Sequence, residues 1–137
     1  GIAGLTIGAL KDTRGAFNRT KAVAFAWDMA ERIRANATAG SAYEVAESAS
    51  GTDGSCFATE SNATPSSCDA GTLAAHDIFE WKTALADTER GLPSGVGSID
   101  FDNSTSPPTY TITVEWSDGI VTPSDANPPA VTLVTQL

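Results

Sequence analysis

The stretch AFAWDMAERIRANATAG, residues 24–40, places charged residues between apolar residues that recur at helical spacing. The same period continues back to the start of the chain and predicts one long helix over residues 1–37. Asn36 and Gly40 are typical of a helix end. The predicted apolar face of this helix comprises Ile2, Leu5, Ala9, Ala16, Val23, Trp27, Ala30, Ile33 and Ala37.

The last third of the sequence changes to the two-residue period of β-strands. The segments YTITVEW and AVTLVTQL alternate between apolar and polar residues, and GSIDFD is a shorter strand candidate. We expect three antiparallel strands in chain order over residues 97–137, with one face on the core. The core-facing residues would be Tyr110, Ile112, Val114 and Trp116, together with Val131, Leu133, Thr135 and Leu137.

Between the long helix and the strands, small and polar residues predict a loop region over residues 38–71. A second helix is expected over residues 72–90, with Asp69 or Thr72 as its N-cap. Its apolar face comprises Ala74, Ile78, Trp81 and Leu85. The predicted class is therefore α+β, a single domain in which a long N-terminal helix packs on a small antiparallel sheet beside a shorter helix.

Composition excludes several classes of function. The 137 residues suit one domain, and an apolar content of 41% is not that of a disordered chain. Residues 1–36 carry six basic and three acidic residues, a balance of +3, whereas the remaining residues carry two basic and fourteen acidic, a balance of −12. The net charge of −9 argues against general binding of nucleic acid or anionic membranes. No segment has the ~20 consecutive apolar residues that span a bilayer.

Cys56 and Cys68 enclose FATESNATPSS, a polar loop without an apolar face. Two cysteines that close such a loop predict a disulfide, and a disulfide implies an oxidising compartment. The alternative is a pair of free thiols, and zinc is disfavoured because His76 is the only histidine. Because an oxidising compartment requires export, we expect the natural chain to have further residues before Gly1.

No other pattern predicts a catalytic, cofactor-binding or metal site. We interpret His76, next to Asp77, as a histidine on a helix surface, since no nucleophile motif accompanies it. The acidic segments DFDN and SDGIVTPSD lack EF-hand spacing and are expected to be solvated loops. The four Asn-x-Thr sequons fit chance in a threonine-rich chain. Trp27, Trp81 and Trp116 are expected to share the core of helix, helix and sheet, with Trp27 buried.

Several stretches together resemble type IV pilins, and most closely the minor pilins of the PilV, or type IV pilus modification protein, family. They are GIAGL, AFAWDMAERIRAN, HDIFEWKTAL followed by GLPSGVGSI, YTITVEWSD and VTLVTQL. WDMAERIRAN and EWKTAL with LPSGVGS are the more specific of these, and residues 40–70 show little resemblance beyond the cysteines. The family's amino-terminal segment, with its processing site, acidic residue and membrane anchor, has no counterpart in the sequence.

The resemblance implies a structural subunit rather than an enzyme, without a cofactor. PilV-like proteins join other minor pilins in a complex that starts pilus assembly and is thought to lie at the tip. Their helices pack side by side in the filament core, which assigns Ile2, Leu5, Ile7 and Leu10 to contacts with other minor and major pilins. The implied location is the bacterial cell-surface pilus, and before assembly the inner membrane facing the periplasm.

Two alternative functions remain open at this point. A minor pseudopilin of a type II secretion system would have the same architecture. A pilus-borne adhesin or ligand-binding subunit would have exposed aromatic residues or a basic groove on its head.

Overall fold

The computed structural model of the chain describes residues 2–61 and 63–137, and it describes side chains from Gly15 onward. The secondary structure confirms the predicted α+β class and the order of its parts. In chain order the elements are α1 (Ile2–Ala35), a 3₁₀ helix (Ala37–Tyr43), α2 (Ala70–Ala86), β1 (Val96–Asp102), β2 (Thr109–Glu115) and β3 (Ala130–Gln136).

The three strands form one antiparallel sheet in the order β1-β2-β3, as the sequence predicts. Ile99 pairs with Ile112, which pairs in turn with Leu133, so these apolar residues share one face of the sheet. Every second residue of β2 is buried on that face, and these residues are Tyr110, Ile112 and Val114, followed by Trp116 beyond the end of the strand. The helices cover this face and enclose a single core.

The second helix, α2, begins at its predicted cap and buries its predicted face. The Asp69 side chain accepts a hydrogen bond from the Thr72 amide at 2.8 Å, which satisfies one of the free donors at the helix start. The four residues of the predicted face are all buried: Ala74, Ile78, Trp81 and Leu85. Trp81 lies directly on β1 because Gly97 has no side chain, and a Cβ there would be 2.5 Å from the Trp81 ring.

The first helix, α1, presents a different face to the core from the one that the sequence predicts. Its buried residues, called here the core face of α1, are Ala22, Ala26, Met29, Ala30, Ile33 and Asn36 at its C-terminal boundary. Ala30 and Ile33 belong to the predicted face, but Val23 is 39% exposed and Trp27 is 48% exposed. The prediction that Trp27 is buried is therefore wrong. Two alanines one turn apart let the helix backbone approach the sheet more closely than Val23 and Trp27 would.

The region predicted as a loop contains a 3₁₀ helix and is then attached to α2. After this helix, Val45 pairs with Ile99 at the outer edge of β1. Lys82 donates hydrogen bonds from Nζ to the carbonyls of Ala46 at 2.6 Å, Glu47 at 3.1 Å and Ala49. A segment with little regular structure thus satisfies several of its main-chain acceptors through one side chain of α2.

Candidate functional site

Arg32 of α1 is the centre of a charged cluster that joins α1 to α2. Its Nη1 donates to Asp77 Oδ1 at 3.1 Å and to Glu80 Oε2 at 2.9 Å, and its Nε donates to Asp28 Oδ2 at 3.3 Å. Burial alone would lower the pKa of Arg32. The hydrogen bond to Glu80 and the charges of the other carboxylates outweigh burial, so the pKa of Arg32 is above its ordinary value. Burial alone would raise the pKa of Glu80, but the hydrogen bond from Arg32 and its positive charge outweigh burial, so the pKa of Glu80 is below its ordinary value.

Asp77 extends this cluster into the core. Its Oδ2 accepts a 2.6 Å hydrogen bond from the hydroxyl of Tyr43, which is fully buried. The same hydroxyl accepts from Asn36 Nδ2 at 3.1 Å, and that amide also donates to the Ala70 carbonyl at 2.9 Å. Burial, together with the hydrogen bond to Asp77, raises the pKa of Tyr43 well above its usual range. These buried polar groups therefore hold the 3₁₀ helix against α1 and α2.

His76 is 5% exposed, so the prediction of a surface histidine is wrong. Its Nδ1 accepts a hydrogen bond from the Gly54 amide at 3.2 Å, and its Nε2 lies 2.9 Å from Glu80 Oε1. With Nδ1 accepting, Nε2 carries the proton and donates to Glu80. Asp53 Oδ1 lies 3.3 Å from Nδ1, and the Phe57 ring is centred 5.5 Å from the imidazole. Nδ1 therefore attaches the preceding loop to α2, while Nε2 is held by Glu80 one turn along the same helix.

That loop is closed by the predicted disulfide between Cys56 and Cys68, whose Cα atoms are 5.7 Å apart. The Ser66 amide donates to the Ser55 carbonyl at 2.7 Å and adds a main-chain bond beside the disulfide. Cys68 Sγ also lies 3.6 Å from the carbonyl of Gly54, the residue whose amide contacts His76. The disulfide loop is thus attached to α2 through one short stretch of main chain.

A groove of about 410 Å³ runs between α1 and α2 beside this loop. Three carboxylates and one guanidinium give its lining an excess of negative charge, so it could accept basic or hydrogen-bond-donating groups. Within residues 2–61 and 63–137, no three His, Cys, Asp or Glu side chains are grouped so as to hold a metal ion. The groove is lined by Asp28, Arg32, Ala35, Asn36, Phe57, Leu73, Asp77 and Glu80.

The residues that the resemblance assigns to filament contacts lie at the start of α1. Its backbone is α-helical from Ile2, but the side chains of Ile2, Leu5, Ile7 and Leu10 lie outside the described residues. From Gly15 to Lys21 the side chains are exposed or half-buried, and burial in the core begins at Ala22. Among the side chains described from Gly15 onward, those of α1 that are buried in the core of the head therefore lie at Ala22 and beyond. None of the helices in the described part of the chain is long and apolar enough to cross a membrane.

A continuous helix that packs by its C-terminal part on a small antiparallel sheet defines the pilin class of fold. A family model agrees: the one described as Tt1218-like, Type IV pilin Tt1218, matches residues 4–79, more than half of the chain. The chain belongs to this family of type IV pilins. Comparisons with curated proteins and with solved structures give no significant match.

Membership of this family has direct consequences for function. Type IV pilins are structural subunits rather than enzymes, they interact with other pilins, and they indicate a pilus at the cell surface. The match does not single out the PilV family.

The cluster around Arg32 was not predicted from the sequence. The Asp28–Arg32 and His76–Glu80 spacings of four residues hint at ion pairs within each helix, but nothing in the sequence pairs one helix with the other.

Proposed function

We propose that this type IV pilin is a minor pilin of the PilV type, which helps to start pilus assembly and lies in the tip complex with other minor pilins. The observation that carries this proposal is the division of α1. The helix is continuous over 34 residues, and among its side chains described from Gly15 onward, burial in the core of the head begins at Ala22. The twenty residues of α1 before Ala22 would rise about 30 Å as a helix, enough to contact neighbouring subunits.

The start of α1 would make these contacts through Ile2, Leu5, Ile7 and Leu10. In this proposal they pack against the helices of other minor and major pilins, and a tip adhesin is a further possible partner. Gly4 and Gly8 are four residues apart, a spacing that lets helices approach closely. Before assembly, the subunit would be held in the inner membrane by the amino-terminal segment that the resemblance to PilV implies.

The test places a charge in this packing surface. Leu5→Glu in the full-length protein, expressed in its own host, should leave the head folded but abolish pilus assembly. The reason is that an unpaired charge among packed helices is costly. Leu5→Ile is the matched control and should support normal piliation. Pili are counted by electron microscopy, and protease resistance of the subunit reports folding. Wild-type piliation with Leu5→Glu would contradict the assembly role.

The same architecture would serve a minor pseudopilin of a type II secretion system. The gene can be introduced separately into a strain that lacks the corresponding minor pilin and into one that lacks the corresponding pseudopilin. We expect it to restore pili in the first strain and not secretion in the second. Restoration of secretion alone would assign the protein to the secretion system.

A further inference from the structure

The two edges of the sheet differ in how they are protected. At the outer edge of β1, the Val45 amide donates to the Ile99 carbonyl at 3.0 Å, and the Ile99 amide donates to Val45 at 2.9 Å. Next to this bridge, the Phe101 amide donates to Glu44 Oε2 at 3.1 Å. Asp100 lies on the same strand and adds charge. This edge is thus covered and charged, as expected of an edge that must not pair with another strand.

The free edge belongs to β3, and its main-chain groups can be assigned. The Trp116 amide donates to the Pro129 carbonyl, and the Leu137 amide donates to the Pro108 carbonyl. Because main-chain bonds alternate along an antiparallel ladder, the odd-numbered residues from 129 to 137 bond to β2. The even-numbered residues of β3 then direct their N–H and C=O groups away from the sheet. They are Ala130, Thr132, Val134 and Gln136.

This outward row has few partners within the molecule. Arg19 of α1 donates from Nη1 to the Ala130 carbonyl at 3.3 Å. Elsewhere along the row, the described part of the chain provides no hydrogen-bond partner for the main chain of Thr132, Val134 or Gln136. β3 also contains no charged residue and no proline, and Val134 is 62% exposed. Apart from Arg19, the described part of the chain therefore provides none of the charges, prolines or covering segments that normally prevent strand addition at an edge.

An apolar flank of α1 lies above the same edge. Lys21 donates to the Gly91 carbonyl, and Trp81 donates to the Phe25 carbonyl, so this side of α1 faces α2 and the turn that follows it. Two residues correspond to about 200° around a helix. Val23 and Trp27, each two residues beyond Lys21 and Phe25, therefore lie on the opposite flank. That flank faces β3, because α2 lies on the β1 side and Arg19 reaches the start of β3.

We propose that the outer edge of β3, with Val23 and Trp27 above it, accepts an extended segment of another protein as a fourth strand of the sheet. The main chain of this segment would pair with Thr132, Val134 and Gln136. Its alternate apolar residues would pack beneath Val23 and Trp27, as in β-strand addition. Because residues 37–137 carry a balance of −12, the segment is neutral or basic.

A second copy of this chain fits the edge less well. Two β3 strands paired antiparallel about a two-fold axis would bring together two heads, each with a charge balance of −12 over residues 37–137. A parallel arrangement would place β3 of one copy against the outer edge of β1 of the other, where Val45 already pairs with Ile99. Two chains of charge −9 would also repel each other. The occupant is therefore a different chain.

The test uses the 137-residue chain and an acetylated, amidated peptide of alternating threonine and valine with a lysine at each end. Trp27 reports binding, since Trp81 and Trp116 are already buried. We expect the peptide to shift tryptophan emission to shorter wavelength and Trp27→Phe to abolish the shift. Val134→Pro removes the outward N–H and should weaken binding at least tenfold, while Val134→Thr keeps the N–H and should bind within threefold of wild type.

A second peptide provides a control that does not depend on whether Val134→Pro folds, because it is measured on the wild-type chain. It has the same sequence, with every main-chain amide methylated so that neither of its edges can donate hydrogen bonds, and it should not bind the wild-type chain. The proposal is overturned if the plain peptide does not bind at about 1 mM, or if the methylated peptide binds equally well. It is also overturned if Val134→Pro folds and binds like wild type. Sedimentation without peptide must show a monomer, and a dimer that Val134→Pro dissociates would assign the edge to a second copy.

Discussion

The hydroxyl of Tyr43 offers a direct measure of the buried polar contacts between the helices. Tyr43→Phe keeps the ring and removes the 2.6 Å bond to Asp77 Oδ2 and the 3.1 Å bond from Asn36 Nδ2. A buried hydrogen bond to a charged group contributes about 1.5–3 kcal/mol. Because Tyr43 is fully buried, water does not replace the lost partner. We expect Tyr43→Phe to lower the free energy of unfolding by about 2 kcal/mol at pH 7.

The same residue predicts how stability changes at high pH. Burial and the bond to Asp77 raise the pKa of Tyr43 in the folded protein above its ordinary value of about 10. A raised pKa means that the folded state holds the proton more tightly than the unfolded state. The stabilisation is therefore complete below about pH 10 and is lost as the pH rises further, by about 1.4 kcal/mol per pH unit.

The assay is urea denaturation of wild type and Tyr43→Phe at pH 7 and pH 11. Phenylalanine does not titrate, so the difference in unfolding free energy should narrow by about 1.4 kcal/mol between these two pH values. Burial also raises the pKa of Tyr110, but this residue is present in both proteins and its effect cancels. A difference that is the same at both pH values would refute the assigned bond between Tyr43 and Asp77.

Two further perturbations test the packing and the disulfide. Trp27→Ala should cost only about 1–1.5 kcal/mol, because half of the side chain is exposed, whereas Trp81→Ala should cost about 3–5 kcal/mol; equal losses in chemical denaturation would contradict the assigned core face. Native protein should be two hydrogens lighter than the reduced form by mass spectrometry, and replacing Cys56 and Cys68 by serine should cost about 3 kcal/mol; two thiols that can be alkylated in the native protein would exclude the bond.

The sheet and α2 were predictable because their patterns allow one solution. A strand has only two faces, so the alternation from Tyr110 to Trp116 selects the buried side. On α2, all the large apolar residues of the predicted face occur at helical spacing, and Trp81 and Leu85 are both fully buried. Here the pattern and the packing agree.

The face of α1 was not predictable in this way, because two adjacent rows share the helical period. One row contains Val23 and Trp27, and the other contains Ala22 and Ala26, about 100° further round the helix. Size and hydrophobicity favour the first row. The second row is buried instead, because alanine allows close approach to the sheet, a property of the partner surface that the helix sequence does not reveal.

The polar contacts between elements could not be predicted either. The Gly54 amide that bonds His76 is 22 residues away in the chain, and the Asp77 and Glu80 carboxylates that bind Arg32 are 45 and 48 residues away. Such pairs depend on the fold being formed. The disulfide was predictable because both cysteines border one short polar loop.

The central proposal is that this pilin is a minor subunit of the tip complex, and immunogold labelling of intact pili tests it most directly. Antibodies raised against the head, residues 37–137, are applied to filaments sheared from the host and from a strain that lacks the gene. We expect label at one end of wild-type filaments and none on filaments of the deletion strain. Label along the whole length, or filaments of normal number that never carry label, would contradict the proposal.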